Sequence, residues 1–287
     1  MPLLNATAEA GLHGPVPHVP PGAPIVVMVH GYRFSPSVPA HDPFRHILAP
    51  ARTQPGRHAV PWPRHLGFGR GDPMEGLGLC FGWEARGTFW HAHAEAWRAG
   101  VSLARAVETL RHALPGRPVH AVAHSLGARV VLSALRLLPP HAVDRIVLMS
   151  PAEHRRAARG AMSSPAGRTC QVISVRSTEN RIFDAALQLL VPWPQPVVGL
   201  GLGGLPNWLD LDPCEPAVRE VAARHGCPIA RRRWRICHHS SYARPGLMRL
   251  YRTLLREPAR LPLRDLQLLP RGRSLAPSSK PGMMNPV

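Results

Sequence analysis

The chain has 287 residues, and 35 lysine and arginine residues against 17 aspartate and glutamate residues give it a formal net charge of +18. This length suits one large domain of helices and strands or two small ones. Hydrophobic residues make up 45% of the chain, so a sizeable core can be buried and wholesale disorder is excluded.

The N-terminal segment, residues 1–22, contains several prolines and glycines and lacks the basic start and apolar run of a signal peptide. We therefore predict an irregular segment and a cytoplasmic protein. Residues 25–30 form a largely β-branched run that ends at Gly31, which predicts a buried parallel strand feeding a loop. Residues 52–76 are rich in Pro, Gly and His and predict an irregular insertion, whereas residues 77–83 predict a second strand.

The clearest helix is predicted from residue 88 to residue 114, where apolar residues recur at helical spacing until Pro115 and Gly116 stop the pattern. Three strands follow, at residues 119–123, 145–149 and 171–175, and then come a short last strand at about residues 235–237 and a helix at residues 245–255.

The region from residue 187 to residue 234 is predicted to be a second irregular insertion. Its most apolar part is broken by three prolines, which predicts no membrane-spanning helix.

Strands that alternate with helices predict one α/β domain over residues 23–269, with a mostly parallel central sheet flanked by helices. The tail, residues 270–287, is rich in Arg, Ser and Pro and predicts disorder.

The run Ala123-His124-Ser125-Leu126-Gly127 lies where a predicted strand meets a predicted helix. A serine at the tip of such a turn is the context of the nucleophile-elbow motif G-x-S-x-G, in which small flanking residues let strand and helix pass closely. Ala123 replaces the first glycine of that motif and keeps the position small. A helix N-cap serine gives a similar local pattern, so the placement between strand and helix supports the prediction of a nucleophile.

These features resemble the α/β-hydrolase superfamily, in its esterase and lipase-like group, over roughly residues 24–256. The resemblance rests on the strand before Tyr32, the unit of strand, Ser125 and helix, an acidic loop after a later strand, and a histidine before the last helix. It implies the α/β-hydrolase fold and the chain order Ser, acid, His. It further implies Ser125 as the nucleophile and the backbone N–H groups of Tyr32 and Leu126 as an oxyanion hole.

The general base implied by the resemblance is a histidine just before the final helix, where His238 and His239 are adjacent. Neighbouring side chains on an extended segment point to opposite sides, so only one of the two can face Ser125. We favour His239 and leave His238 as the alternative. His30 and His124 lie at corners between strand and turn, where a packing role is the simpler interpretation.

The acid that orients the base is sought in the loop after the strand at residues 171–175. The family places a carboxylate shortly before an apolar pair, but the position that best matches it is Asn180, and Glu179 and Asp184 flank it. Either carboxylate could orient the imidazole. Glu179 could instead pair with Arg176 or Arg181, and Asp184 could lie in the first turn of the next helix, where the helix dipole favours a carboxylate.

The substrate pocket is predicted to include Trp62 and Trp83 near the oxyanion loop and Trp193 in the apolar insertion before the histidines. Packing of these segments over the sheet is the equally supported alternative.

The leading hypothesis is a serine hydrolase that cleaves a carboxylic ester, with a lipid-like or acyl substrate, through an acyl-enzyme on Ser125. It needs neither a metal nor an organic cofactor, and thioesterases, acyltransferases and peptidases use the same machinery.

Two other hypotheses come from different classes of protein. An uncertain acid is also compatible with a catalytically inactive α/β-hydrolase-like binding module. The charge of +18 is compatible with peripheral contact with anionic surfaces, but only residues 231–233 form a dense arginine run and no nucleic-acid-binding motif is present, so no specific nucleic-acid partner is predicted. The five scattered cysteines predict neither a disulfide framework nor a structural zinc site.

Overall fold

The computed structural model describes residues 3–51, 60–191 and 196–269. Its central feature is an eight-stranded sheet in the order β2-β1-β4-β3-β5-β6-β7-β8. Every neighbouring pair is parallel except β1 with β2 at one edge. The strands are β1 (Leu3–Thr7), β2 (Gly11–Leu12), β3 (Ile25–Val29), β4 (Leu77–Gly82), β5 (Val119–His124), β6 (Arg145–Met149), β7 (Gln171–Val175) and β8 (Trp208–Leu211). The prediction of a mostly parallel sheet flanked by helices is confirmed.

Helices cover both faces of this sheet. They are α1 (Trp62–Leu66), α2 (Phe89–Ala113), α3 (Gly127–Leu135), α4 (Arg155–Met162), α5 (Pro165–Thr169), α6 (Arg181–Leu190), α7 (Pro216–Arg224), α8 (Ser240–Ala243), α9 (Leu247–Arg256) and α10 (Leu263–Gln267). Helices α2 and α3 pack on one face, and α9 with α1 and α10 packs on the other, so the core consists of two layers. No helix in the described ranges has the length and apolar character needed to span a bilayer.

The β-branched character of the central strands follows from burial on both faces. Alternate residues of β3 enter different layers: Ile25, Val27 and Val29 lie in the layer with α2 and α3, and Val26 and Met28 lie in the layer with α9. Since successive side chains of a strand point to opposite faces, a strand between two layers of helices must be apolar throughout.

Three differences from the sequence prediction concern the edges of the sheet. Residues 3–12, predicted to be irregular, form the antiparallel pair β1 and β2. Strand β8 and helix α7 lie inside the predicted irregular insertion at residues 187–234. The predicted last strand at residues 235–237 is wrong, because this segment has no strand and residues 231–236 are exposed. In the insertion at residues 52–76, α1 occupies residues 62–66, residues 52–59 lie outside the described residues, and so does the tail from residue 270.

The sheet topology brings several loops to one edge. Since the strands from β3 to β8 are parallel, the segments that follow β3, β5 and β7 all leave from the carboxyl end of the sheet. In open α/β sheets this is the edge where ligands bind. Gly31, Ser125 and the stretch 176–180 therefore lie near one another.

Candidate active site

Ser125 lies at the tip of the turn between β5 and α3 with a φ of 55°. This left-handed conformation is unfavourable for a residue with a Cβ, and a residue is held there only when its surroundings fix it. Two backbone hydrogen bonds do so: Ser125 N donates to Met149 O at 3.0 Å, and Ala152 N donates to Ser125 O at 3.0 Å. The sharp turn predicted from the sequence is thus present.

Two glycines allow the chain to approach this turn closely. A Cβ at Gly31 would lie 2.8 Å from both Ser125 Cβ and His124 O, and a Cβ at Gly127 would lie 2.5 Å from His30 O. Real Cβ atoms do not approach other atoms so closely. The glycines therefore let the loop after β3 and the start of α3 pack directly against each other beside Ser125.

Two backbone amides in the loops around Ser125 have no backbone hydrogen-bond acceptor in the described residues. These amides are Tyr32 N and Leu126 N. Leu126 N belongs to the start of α3, where amides have no partner within the helix. The loop that holds Tyr32 is fixed by its hydroxyl, which donates to Gly87 O at 2.7 Å, and by Arg33 N, which donates to Ala85 O at 2.8 Å.

His30 supports this loop from inside. Trp83 N donates to His30 Nε2 at 3.0 Å, so Nδ1 carries the proton and donates to Gly31 O at 2.9 Å. The Trp83 indole stacks on the imidazole, and its Nε1 donates to His30 O at 3.0 Å. Burial lowers the pKa of His30 to about 4, so the ring is neutral at physiological pH. The expected packing role of His30 agrees with these contacts.

The three tryptophans of the predicted pocket have different positions. Trp83 and Trp62 are 1% and 0% exposed, and Trp62 packs edge-on against Tyr242 with ring centroids 5.4 Å apart. Both tryptophans are therefore buried in the core beneath the site, and neither presents a ring face to solvent. Trp193 lies outside the described residues.

His238 is joined by a hydrogen bond to Asn180. His238 Nδ1 lies 2.7 Å from Asn180 Oδ1, and Asn180 Nδ2 donates to Asp184 Oδ1 at 2.9 Å. Asn180 and Asp184 are both buried. The structure thus joins His238, Asn180 and Asp184 in one chain of hydrogen bonds, in which the side chain that touches the imidazole is an amide and not a carboxylate.

This chain of hydrogen bonds fixes the tautomer of His238. The ionised Asp184 carboxylate can only accept, so it bonds to the NH₂ end of the Asn180 amide and the amide oxygen is turned toward His238. Nδ1 of His238 must therefore carry the proton, and Nε2 is left as the basic nitrogen. This is the tautomer that a general base needs when its Nε2 faces a serine.

The environment of His238 is apolar and crowded with other rings. Its imidazole lies 4.6 Å, centroid to centroid, from both Phe183 and His124. Burial, and then the neighbouring His239, lower the pKa of His238 to about 4. His124 Nε2 donates to His238 O at 3.1 Å. This bond holds the segment 237–239, which we call the histidine loop, against the turn that contains Ser125.

His239, which the sequence favoured as the base, lies directly before α8. Its ring centroid is 5.9 Å from that of His124 and 5.7 Å from that of Tyr242. The two histidines thus both lie beside the residue that precedes Ser125. The amide partner distinguishes them, because Asn180 bonds to His238.

Glu179 forms a buried ion pair with Arg244. Both side chains are almost inaccessible, and Cys237 N donates to Glu179 O at 3.1 Å. The predicted alternative paired Glu179 with Arg176 or Arg181, but its ion-pair partner is Arg244, which is more distant in sequence. The ion pair and the backbone bond tie the loop after β7 to the histidine loop, which brings Asn180 within reach of His238.

Asp184 lies in the first turn of α6 with its carboxylate turned inward. Burial raises the pKa of Asp184 to about 7, against the favourable hydrogen bond from Asn180. A Cβ at Gly199 would lie 1.9 Å from Asp184 Oδ1, so only glycine fits at residue 199. The sequence offers no local signal for this contact, because the two residues are 15 positions apart in a segment without a recognisable pattern.

A second cluster of polar residues, separate from the site around Ser125, lies beside a cavity lined by residues of α2, α3 and α4. Ligand atoms of His93, Glu153 and His154 lie within 4.8 Å of one another, beside this cavity of about 440 Å³. Arg129 donates to Glu153 Oε2 at 2.7 Å and neutralises the carboxylate. A permanent positive charge at this distance disfavours a divalent cation.

The chain is similar to known proteins in its fold family. The model of the family described as alpha/beta hydrolase fold matches residues 24–176. No curated protein matches the chain. Among solved structures, TT1662 from Thermus thermophilus is similar, with 13% identity, a TM-score of 0.38, and coverage of 73% of this chain and 87% of that one. A cutinase from Trichoderma reesei, in complex with a C11Y4 phosphonate inhibitor, is similar with 14% identity, a TM-score of 0.26, and coverage of 50% and 66%.

Proposed function

The chain belongs to the α/β-hydrolase fold family, and from this premise we propose that it is a serine hydrolase that cleaves a carboxylic ester through an acyl-enzyme on Ser125. The observation that supports the proposal most is the serine itself, held at a φ of 55° between β5 and α3. A strained serine at that place is the nucleophile elbow of this fold. A small-molecule ester is the expected substrate.

In the proposed first step, Ser125 Oγ attacks the ester carbonyl carbon while His238 Nε2 takes the hydroxyl proton. The carbonyl oxygen becomes an oxyanion and accepts hydrogen bonds from Tyr32 N and Leu126 N. The bond from carbon to the alcohol oxygen then breaks, and His238 returns the proton to the departing alcohol. Water attacks the acyl-enzyme in the same way, releases the acid and restores Ser125.

The proposed role of Asn180 is to hold His238 in the tautomer with a bare Nε2. Its amide oxygen accepts from Nδ1 in both the neutral and the protonated imidazole, so the contact persists through the reaction. An amide stabilises the imidazolium less than a carboxylate does, because it carries no charge. Asp184 is a positioning residue in this scheme, since it acts on His238 only through Asn180.

The amide at this position also supports the second candidate, a binding module that has lost catalysis. The two candidates differ in the reactivity of Ser125. We expect wild-type protein to hydrolyse p-nitrophenyl butyrate and the Ser125→Ala variant to lose at least about a thousandfold in kcat. Ser133→Ala, a change of the same kind further along α3, is the matched control and should keep the wild-type rate. A folded wild-type protein without activity on short esters, thioesters or acyl transfer would favour the binding module.

A further inference from the structure

Helix α6 buries a carboxylate and exposes most of its large apolar side chains. Its one carboxylate, Asp184, is buried, whereas Ile182, Phe183, Leu189 and Leu190 are exposed, and Leu189 is 80% exposed. A surface helix of a folded domain normally turns its apolar face inward. An exposed apolar face of this kind marks a surface that meets a partner.

This face extends onto α2 at one end. Trp90 is 58% exposed, and its indole Nε1 donates to Leu190 O at 2.7 Å, which places the ring beside the end of α6. Trp97, two turns further along α2, is also exposed and lines a cavity together with Val191. The exposed rings of α2 and the leucines of α6 therefore lie side by side.

The face extends onto the segment 231–236 at the other end. Every residue of this segment is exposed, including Trp234 and Ile236. Two contacts hold the segment against the start of α6: Arg232 Nη1 donates to Thr178 Oγ1 at 3.0 Å, and Cys237 N donates to Glu179 O at 3.1 Å.

Together these side chains form a surface that we call the α6 face. It contains eight of the twelve large hydrophobic side chains that are exposed in the described ranges, so the exposed apolar area is concentrated here: Trp90, Trp97, Ile182, Phe183, Leu189, Leu190, Trp234 and Ile236. Phe183 also touches His238, with ring centroids 4.6 Å apart, so the α6 face borders the proposed base.

The charge of the α6 face is positive. Arg181, Arg231, Arg232, Arg233 and Arg235 are exposed within it. Residues 176–190 and 231–239 contain two carboxylates, Glu179 and Asp184, and both are buried. The surface thus combines exposed rings and aliphatic chains with cations and presents no carboxylate from these two stretches.

We propose that the α6 face binds an anionic lipid surface, so that esters held in that surface reach Ser125 past Phe183. The choice of Ser125 as the reacting group rests on the proposed function, whereas the binding does not. Apolar side chains enter the boundary between headgroups and acyl chains, and arginines contact the anionic headgroups. Nucleic acid fits less well, because large aliphatic side chains gain nothing from a phosphate backbone.

The direct test is co-sedimentation of the whole chain with vesicles. We expect binding to vesicles of equal parts phosphatidylglycerol and phosphatidylcholine, weaker binding in high salt, and much weaker binding to phosphatidylcholine alone. The triple variant Arg231→Gln, Arg233→Gln, Arg235→Gln leaves the Arg232 contact with Thr178 in place. It should bind the anionic vesicles roughly a hundredfold more weakly, because each arginine near such a surface contributes about 1 kcal/mol.

Two further variants test whether binding depends on the α6 face itself or on the net charge of the protein. The triple variant Arg105→Gln, Arg224→Gln, Arg264→Gln removes the same charge from exposed positions of α2, α7 and α10 outside the α6 face, and it should bind as wild type does. The double variant Ile182→Ser, Leu189→Ser should bind anionic vesicles more weakly without a change in salt dependence. Absence of binding by wild-type protein, an equal loss in both arginine variants, or no loss in the serine variant would overturn the proposal.

Hydrolysis of p-nitrophenyl butyrate, a soluble ester, distinguishes the two proposals. We expect both arginine variants to keep the wild-type rate on this ester, since the substrate needs no surface. Vesicle binding without any esterase activity would mean that the α6 face is correctly assigned and the proposed function is not. Esterase activity without vesicle binding would mean the reverse.

Discussion

The pKa of the proposed base, His238, is lowered by burial and by the neighbouring His239, and the amide of Asn180 brings no charge that would counter this. A carboxylate beside an imidazole raises its pKa, whereas an amide leaves burial to lower it. The pKa of His238 is lowered to about 4, so the imidazole stays neutral below the range where an unperturbed histidine, with a pKa of about 6.5, takes up a proton. We expect hydrolysis to persist into acidic solution, where an enzyme with an ordinary histidine base loses activity.

Asn180→Asp should reverse this property. The new carboxylate favours the imidazolium, so the pKa of His238 rises and the acidic limb of kcat/KM moves up by about one pH unit or more. At pH 8 the rate should increase, because the charge that develops on His238 is better stabilised. The measurement is a pH profile of p-nitrophenyl butyrate hydrolysis for both proteins. An unchanged acidic limb would argue against His238 as the base.

Asp184 should matter as a hydrogen-bond acceptor rather than as a charge. Asp184→Asn still offers an oxygen to Asn180 Nδ2 and should keep kcat within about threefold. Asp184→Leu has no acceptor, so the Asn180 amide is free to turn its NH₂ group toward His238, and kcat should fall about a hundredfold with KM unchanged. Equal losses in the two variants would contradict the positioning role.

The residues of the site differ in how far the sequence predicts them. Ser125 follows from its place between strand and helix, and Asn180 is the position that best matches the family acid. The sequence favoured His239 as the base, and the contact between Asn180 and His238 supports the alternative. Which of two adjacent histidines faces a given side chain depends on the path of the segment 231–237, and no local pattern of residues determines that path.

At the scale of elements, the crossing of β3, β5 and α3 is the most constrained part of the fold. Gly127 is the first residue of α3, and its φ is not in the left-handed region, so space and not conformation requires glycine there. Val29 O and His30 O fill the position that a Cβ would take. Since both are backbone atoms, they cannot move without shifting β3 and with it the loop that holds Tyr32.

Gly127→Ala should therefore destabilise the protein by about 1–3 kcal/mol, as overpacking of a core does. Esterase kcat should fall too, because the Tyr32 amide moves. The matched control is Gly160→Ala in α4, where the new Cβ would meet Arg136 Nη1 at an ordinary 3.7 Å. There alanine should stabilise the helix by about 0.5–1 kcal/mol. Urea unfolding of both variants gives the two free energies, and equal effects would contradict the packing argument.

The central elements were predictable and the edges were not. Strands β3, β5, β6 and β7 are apolar because helices cover both faces, and helix α2 shows a long regular pattern. Strand β8 has four residues and includes Asp210, whose carboxylate accepts hydrogen bonds from Leu202 N and Trp208 Nε1. An acidic residue in so short a strand interrupts the apolar pattern by which the sequence would predict it. A short strand is predicted at about residues 235–237, but this segment forms no strand, and Arg235 and Ile236 lie exposed on the α6 face.

At the scale of the whole molecule, buried neutral histidines link stability to pH. Burial lowers the pKa of His30, His120 and His238 to about 4 in the folded chain. In the unfolded chain each has a pKa of about 6.5. At these histidines the unfolded state binds more protons between the two values, and stability present above pH 6.5 is lost as the pH falls toward 4. Asp184, whose pKa is raised to about 7, acts in the opposite direction over this range and offsets about one histidine.

The free energy of unfolding should therefore decrease steeply from pH 6.5 to pH 4, by up to about 1.4 kcal/mol per pH unit for each of these histidines. The measurement is urea unfolding as a function of pH. His120→Gln removes one titrating group far from the candidate site and should make the decrease shallower than in wild type. His112→Gln, an exposed histidine near the end of α2, should leave the slope unchanged. A flat profile between these pH values would contradict the neutral burial of the three rings.

The central claim is that Ser125 is a nucleophile activated by His238. The most direct measurement is labelling of the folded protein with a fluorophosphonate probe, followed by peptide mapping, in wild type and in the Ser125→Ala, His238→Ala and His239→Ala variants. We expect an adduct on Ser125 that disappears in the first variant, is strongly reduced in His238→Ala and persists in His239→Ala. No adduct on folded wild-type protein, or an adduct that depends on His239 and not on His238, would contradict the account.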